Sequence, residues 1–119
     1  MKKIKGKTLK RAQAPLRLRV MAEYDSSGIW FMQQMGLFRH GMLPHSALRM
    51  PKELAERFTQ WIALYDQTLF TPEEFDVVAF NAEGRLLAQA LKSHVGDRHY
   101  VEFQAETAEG GLCPGEEIL

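Results

Sequence analysis

Two one-sided apolar stripes at helical spacing constrain this chain more than any other feature. Leu54, Phe58, Trp61, Ile62, Tyr65 and Leu69 recur at steps of four, three, one, three and four, so they line one side of a helix. Pro51 suits the first turn of that helix. A second helix is predicted from Thr71-Pro72-Glu73-Glu74, where Thr71 can cap, Pro72 suits the first position and the two acids favour the positive end of the dipole. Its stripe runs through Phe80, Gly84, Leu87, Leu91 and then His94 or Val95, and Gly96-Asp97 ends it. Gly84 costs such a helix about 1 kcal/mol relative to Ala, which predicts a close approach to another backbone. Both stripes need a surface to cover.

The flanking segments supply that surface. In LRLRVMAEY, residues 16 to 24, Leu16, Leu18, Val20, Ala22 and Tyr24 alternate with Arg17, Arg19, Met21 and Glu23, the period of a strand with one buried face. DSSG at 25 to 28 carries turn residues, and GIWFMQQ resumes with β-branched and aromatic side chains, which together predict an antiparallel hairpin. Trp30 and Met32 face away from Ile29 and Phe31, and the pattern leaves open which pair is inside. HYVEFQ, residues 99 to 104, alternates again as a closing strand. The predicted architecture is α+β, a small antiparallel sheet in the order β-β-α-α-β with both helices on one face. Residues 1–15 are expected as a basic flexible arm, 16–104 as the folded domain, and 105–119, rich in Gly and Glu, as a flexible acidic tail.

At 119 residues the chain is long enough to bury a core without disulfides or metal. Net charge is zero, so no global field recruits nucleic acid or an anionic membrane, although eight of the 15 basic residues lie in residues 1 to 20. A lone cysteine, Cys113, excludes an intrachain disulfide and fits a reducing cytosol. No apolar h-region follows the basic N-terminus and no apolar run approaches the ~20 residues of a bilayer span, so the expectation is a soluble, cytoplasmic protein.

Candidate chemistry is sparse. His40 and His45 are five apart, as are His94 and His99, but one pair flanks a proline and the other straddles a helix end, so neither aligns as metal ligands, and no metal or cofactor is expected. Glu73, Glu74 and Asp76 are explained by a first helical turn, and Ser26-Ser27 by a turn. NAEGR at 81 to 85 has too few glycines for a phosphate loop, and Cys113 has no basic neighbour to activate it. No enzyme signature emerges. The segment GLFRHGMLPHSALRM, residues 36 to 50, is long for a connection and mixes guanidinium, soft apolar and polar groups, as interface centres do. Arg39, His40, Met42, His45 and Arg49, with Trp30 on its strand, are therefore candidate partner-binding residues; equally, Leu37, Phe38, Met42 and Leu48 could simply pack on the core.

The ordered blocks LRLRVMAEYDSSGIW, GLFRHGM, FDVVAFNAEGRLLAQALK and YVEF resemble small bacterial immunity proteins encoded beside polymorphic or contact-dependent toxins. The resemblance spans about residues 16 to 104 and implies a cytoplasmic, non-enzymatic protein that binds one cognate toxin and occludes its active site. Many immunity proteins are markedly acidic, whereas this chain is neutral, a departure that weighs against a nuclease toxin. The alternative is a small regulatory module that binds nucleic acid through residues 2 to 11, where lysines could neutralise phosphates but no aromatic is interleaved for stacking.

Overall fold

The computed structural model describes residues 15–32 and 41–119. Three strands come first: β1 (Arg17–Val20), β2 (Ile29–Phe31) and β3 (Gly41–Met42). Helices α1 (Lys52–Asp66) and α2 (Val77–Val95) follow, then β4 (Tyr100–Phe103) and β5 (Glu116–Glu117). The sheet order is β3-β2-β1-β4-β5. Both helical stripes cover the sheet face that carries Leu18, Val20, Ile29, Val101 and Phe103, all 1% exposed or less. The α+β class and the β1–β2 hairpin agree with the sequence reading, with Arg19 opposite Trp30 and Val20 opposite Ile29.

The sheet is mixed rather than antiparallel, because β1 and β4 pair in parallel. The helices explain this. Contacts such as Trp61 on Phe80 and Arg57 with Glu83 show α1 and α2 lying antiparallel, and a 3-10 turn at Gly96–Arg98 reverses the chain from α2 directly into β4. Leu16, just before β1, is bonded to His99, just before β4, so the two strands start at the same end of the sheet and run together. Sequence alternation reports which face a residue takes, and carries nothing about strand direction.

The helix boundaries shift for local reasons. Helix α1 buries Leu54, Phe58, Trp61 and Ile62, but the chain tightens to a 3-10 turn at Gln67–Leu69 and leaves Leu69 60% exposed, off the expected stripe. Helix α2 starts at Val77 rather than at Thr71. Pro72–Glu74 form a separate 3-10 turn, Phe75 is extended, and the Asp76 carboxylate accepts the Ala79 N–H at 3.0 Å as the true cap. The α2 stripe closes with Val95, which is buried, while His94 is exposed. Gly84 does approach closely, but to the rings of Trp61 and Phe103 rather than to a backbone.

Residues 105–119 are not a loose tail. Glu106 bridges Leu112, β5 pairs with β4, and Ile118 donates its N–H to Val101 and is buried in the core cluster. The apolar Ile118 gives the segment an anchor that its Gly and Glu content obscures. The expected arm, residues 1–15, lies outside the described residues except for Pro15.

Candidate partner-binding surface

The face of the sheet away from the helices is built by alternation and register. Across all five strands one row reads Met42, Trp30, Arg19, Glu102 and Glu117. Because Ile29 turns into the core, Trp30 belongs to this open face, which answers the question the pattern left open. Its indole N–H donates to the Met21 carbonyl at 3.1 Å, so the ring is held along the hairpin and half-buried. In the centre of the row Arg19 forms an ion pair with Glu102 and also donates to Gln104 at 3.1 Å. Glu102 is buried by the returning C-terminal segment: Gln104 donates to the Cys113 carbonyl at 2.9 Å, and a Cβ at Gly115 would lie 2.8 Å from the Glu102 carboxylate. Among the described residues the β4–β5 half of the face is thus covered, while on the other half Trp30 is half-buried and Met42 is 46% exposed.

The hairpin tip links that open half to the connection before α1. Ser27 donates its N–H to the Met42 thioether at 3.3 Å, and its carbonyl meets His45 Nε2 at 2.9 Å. The His45 ring also lies 5.8 Å from Phe58, so this side chain fastens the segment 43–49 to both hairpin and core. His94 holds the other end through Nε2 to the Leu48 carbonyl at 2.7 Å. Arg49 follows the 3-10 turn His45–Leu48 in the left-handed region (φ 51°), with its side chain exposed. Leu43 and Leu48 pack against the core while Met42 is 46% exposed, so the described part of the connection combines packing with display. Arg39 and His40, with Leu37 and Phe38, lie outside the described residues.

The structure disperses the remaining candidates. His99 is buried and accepts the Leu16 N–H at Nδ1 (3.0 Å); burial foremost, then the charges of Arg98 and Lys92, lowers its pKa and keeps the ring neutral. Ser26 and Ser27 spend their hydroxyls on the hairpin turn. Among the described residues no three His, Cys, Asp or Glu side chains converge as a metal-binding group. None of the described helices is long and apolar enough to cross a membrane.

One titratable group carries no distinguishing signal in the sequence. Glu106 is 6% exposed, its Oε2 has no hydrogen-bond partner among the described residues, and burial, with a lesser push from Glu23, raises its pKa to about 7. Its backbone is clamped at both polar groups by the Asn81 amide, at 2.9 and 3.0 Å. The neighbouring Tyr65 hydroxyl is pushed up to about 12, mainly by burial and then by the Glu106 charge. No local pattern marks Glu106, because only the packing of the C-terminal segment buries it.

A small α+β sheet, closed by helices on one face and displaying Trp30, Met42 and a fastened loop on the other, is the class of protein these elements define. Residues 16–106 match the family model described as Serratia CdiI immunity protein-like, and the chain belongs to that family. The match takes in β1 through β4 and both helices. Comparison with curated proteins and with solved structures finds no match. Membership carries a toxin-neutralising immunity role, with a protein toxin as partner in general terms.

Proposed function

We propose that this chain binds one cognate toxin and silences it by covering the toxin's active site, with no chemistry of its own, in the cytoplasm of the cell that makes it. The family match over residues 16–106 is the observation that supports this reading most. The surface is suited to it. Trp30 and Met42 offer polarizable apolar area, and Arg49 offers a guanidinium able to grip a carboxylate in two hydrogen bonds. His45 braces the segment between them at the Ser27 carbonyl. Arg39 and His40, in the same connection, complete the proposed contact set. No specific observation favours binding of nucleic acid through residues 2 to 11, which lie outside the described residues.

The test is to express the chain with the toxin domain encoded by its neighbouring gene, purify the two together, and assay the toxin with and without its companion. Co-purification with loss of toxin activity is the expected result. A neighbouring toxin that neither co-purifies nor loses activity refutes the proposal.

A further inference from the structure

The end of the molecule formed by the α1–α2 turn is both apolar and predominantly acidic. Phe70 is 81% exposed, Val78 77%, Leu69 60% and Leu64 54%, a concentration of bare apolar area that single scattered residues do not produce. Leu64 lines a groove of about 340 Å³ between the C-terminal half of α1 and the start of α2, floored by Phe75 and Phe80 and walled also by Gln67, Thr71 and Ala79, while Leu69, Phe70 and Val78 are chain neighbours of its lining residues Thr68, Thr71 and Ala79. Phe80 is itself buried and stacks 4.6 Å from Trp61, so the floor is rigid.

The charge around this groove is predominantly negative, with Arg57 as a cation paired to one of its carboxylates. Residues 58 to 84 contain five acids, Asp66, Glu73, Glu74, Asp76 and Glu83, and no Lys, Arg or His. Residues 20 to 28 of the hairpin add Glu23 and Asp25 and again no cation. The hairpin tip is tied to the same end, since Asp25 donates its N–H to Asp66 at 2.9 Å and the Tyr24 hydroxyl meets Thr68 at 3.2 Å. Of the seven carboxylates, Glu83 alone is ion-paired among the described residues, with Arg57. In a chain of net charge zero, this is a local negative field beside exposed hydrophobic groups.

We infer that this groove and its acidic rim receive a cationic segment of the toxin, with one apolar side chain of that segment seated between α1 and α2. The inference rests on the immunity reading above and adds a second contact region to it. Charge decides among the occupants. Phosphates and anionic lipid are repelled by the rim. A second copy docking by a two-fold axis would bring identical acidic patches together, which like-charge repulsion opposes. The basic residues 2 to 11 of the chain itself share the sign of such a segment and lie outside the described residues, so their deletion in the experiment below separates them from the toxin as occupant.

The experiment measures association and dissociation rates between the full chain and the neighbouring gene's toxin domain, the latter carrying an inactivating substitution, at low and high salt. The double variant Glu73→Lys/Glu74→Lys should associate about tenfold more slowly and lose most of the salt dependence. Phe70→Ala should dissociate about tenfold faster, with an unchanged unfolding curve because the ring is exposed. If both variants match a parent that does bind, the groove is not the contact and the immunity reading stands without it. A parent that does not bind overturns both. Two further results would also overturn this assignment: a parent dimer in sedimentation that Phe70→Ala dissolves, which makes a second copy the occupant, or faster toxin association after deletion of residues 1–14, which makes the arm the occupant.

Discussion

Replacing Gly84 by alanine sets helix propensity against packing. In an isolated helix the change favours folding by about 1 kcal/mol. In this chain a Cβ at Gly84 would lie 2.6 Å from Phe103 Cε1 and 2.6 Å from Trp61 Cζ2, against the ~3.5 Å of an ordinary carbon–carbon contact. Neither ring can retreat cheaply. Both are 1% exposed, and Trp61 is stacked on Phe80 and donates its indole N–H to the Phe80 carbonyl at 2.9 Å. Overpacking of this kind costs about 1 to 3 kcal/mol, and two simultaneous overlaps place it near the upper value. Subtracting the propensity gain leaves Gly84→Ala about 2 kcal/mol less stable than the parent. Urea unfolding followed by tryptophan fluorescence measures the difference, and Phe103→Leu in the same background should recover part of it. A variant more stable than the parent by ~1 kcal/mol would show that the rings yield and that Gly84 is not held by packing.

Glu106→Gln should alter the pH dependence of stability. The folded carboxyl, raised from 4.5 to about 7, keeps a proton that the unfolded chain releases, so its favourable contribution is lost as pH rises through that window. The Gln variant lacks this loss and should gain on the parent by about 2 to 3 kcal/mol between pH 4 and pH 8, measured by urea unfolding at each pH; a constant difference would refute the assignment. Asp76→Ala removes the cap on the Ala79 N–H and should cost about 1 kcal/mol, read as a lower Tm, whereas Thr71→Ala, which makes no capping bond, should have little effect on it. Arg49→Ala should leave folding within about 0.5 kcal/mol of the parent yet weaken toxin binding by about 2 kcal/mol, by calorimetry. Unchanged affinity for Arg49→Ala and for Trp30→Ala would remove the open sheet face from the interface.

Much of this architecture is legible in the residues. Period-two alternation separates Leu18 and Val20 from Arg17 and Arg19, and the helical stripe picks out Phe58, Trp61 and Ile62, because burial on one side leaves a periodic trace. Features that depend on distant segments leave none. The parallel pairing of β1 with β4 and the Arg19–Glu102 ion pair require the register of strands more than 80 residues apart, and the burial of Glu106 requires the packing of the C-terminal segment against α2. The sequence places the start of α2 too early because Thr71-Pro72 carries a helix-start signature that the structure uses for a 3-10 turn. The capping signal that the structure uses, Asp76 just before Val77, is masked in the sequence by the stronger signature five residues earlier. Of the proposed contacts, Met42 and Arg49 stood out for their chemistry in a long connection, whereas the Trp30 side needed the packing of Ile29 to be settled.

Neutralisation itself is tested most directly by titrating the purified chain into a fixed amount of the proposed cognate toxin's active domain and following residual toxin activity. A protein that occludes the active site should bring activity to zero with a break at one chain per toxin, and no pre-incubation time should deepen the inhibition, since nothing is chemically altered. Toxin separated from the complex under denaturing conditions and refolded should recover full activity. Residual activity that persists at a large excess of the chain, or toxin that stays inactive after separation, would contradict inhibition by occlusion.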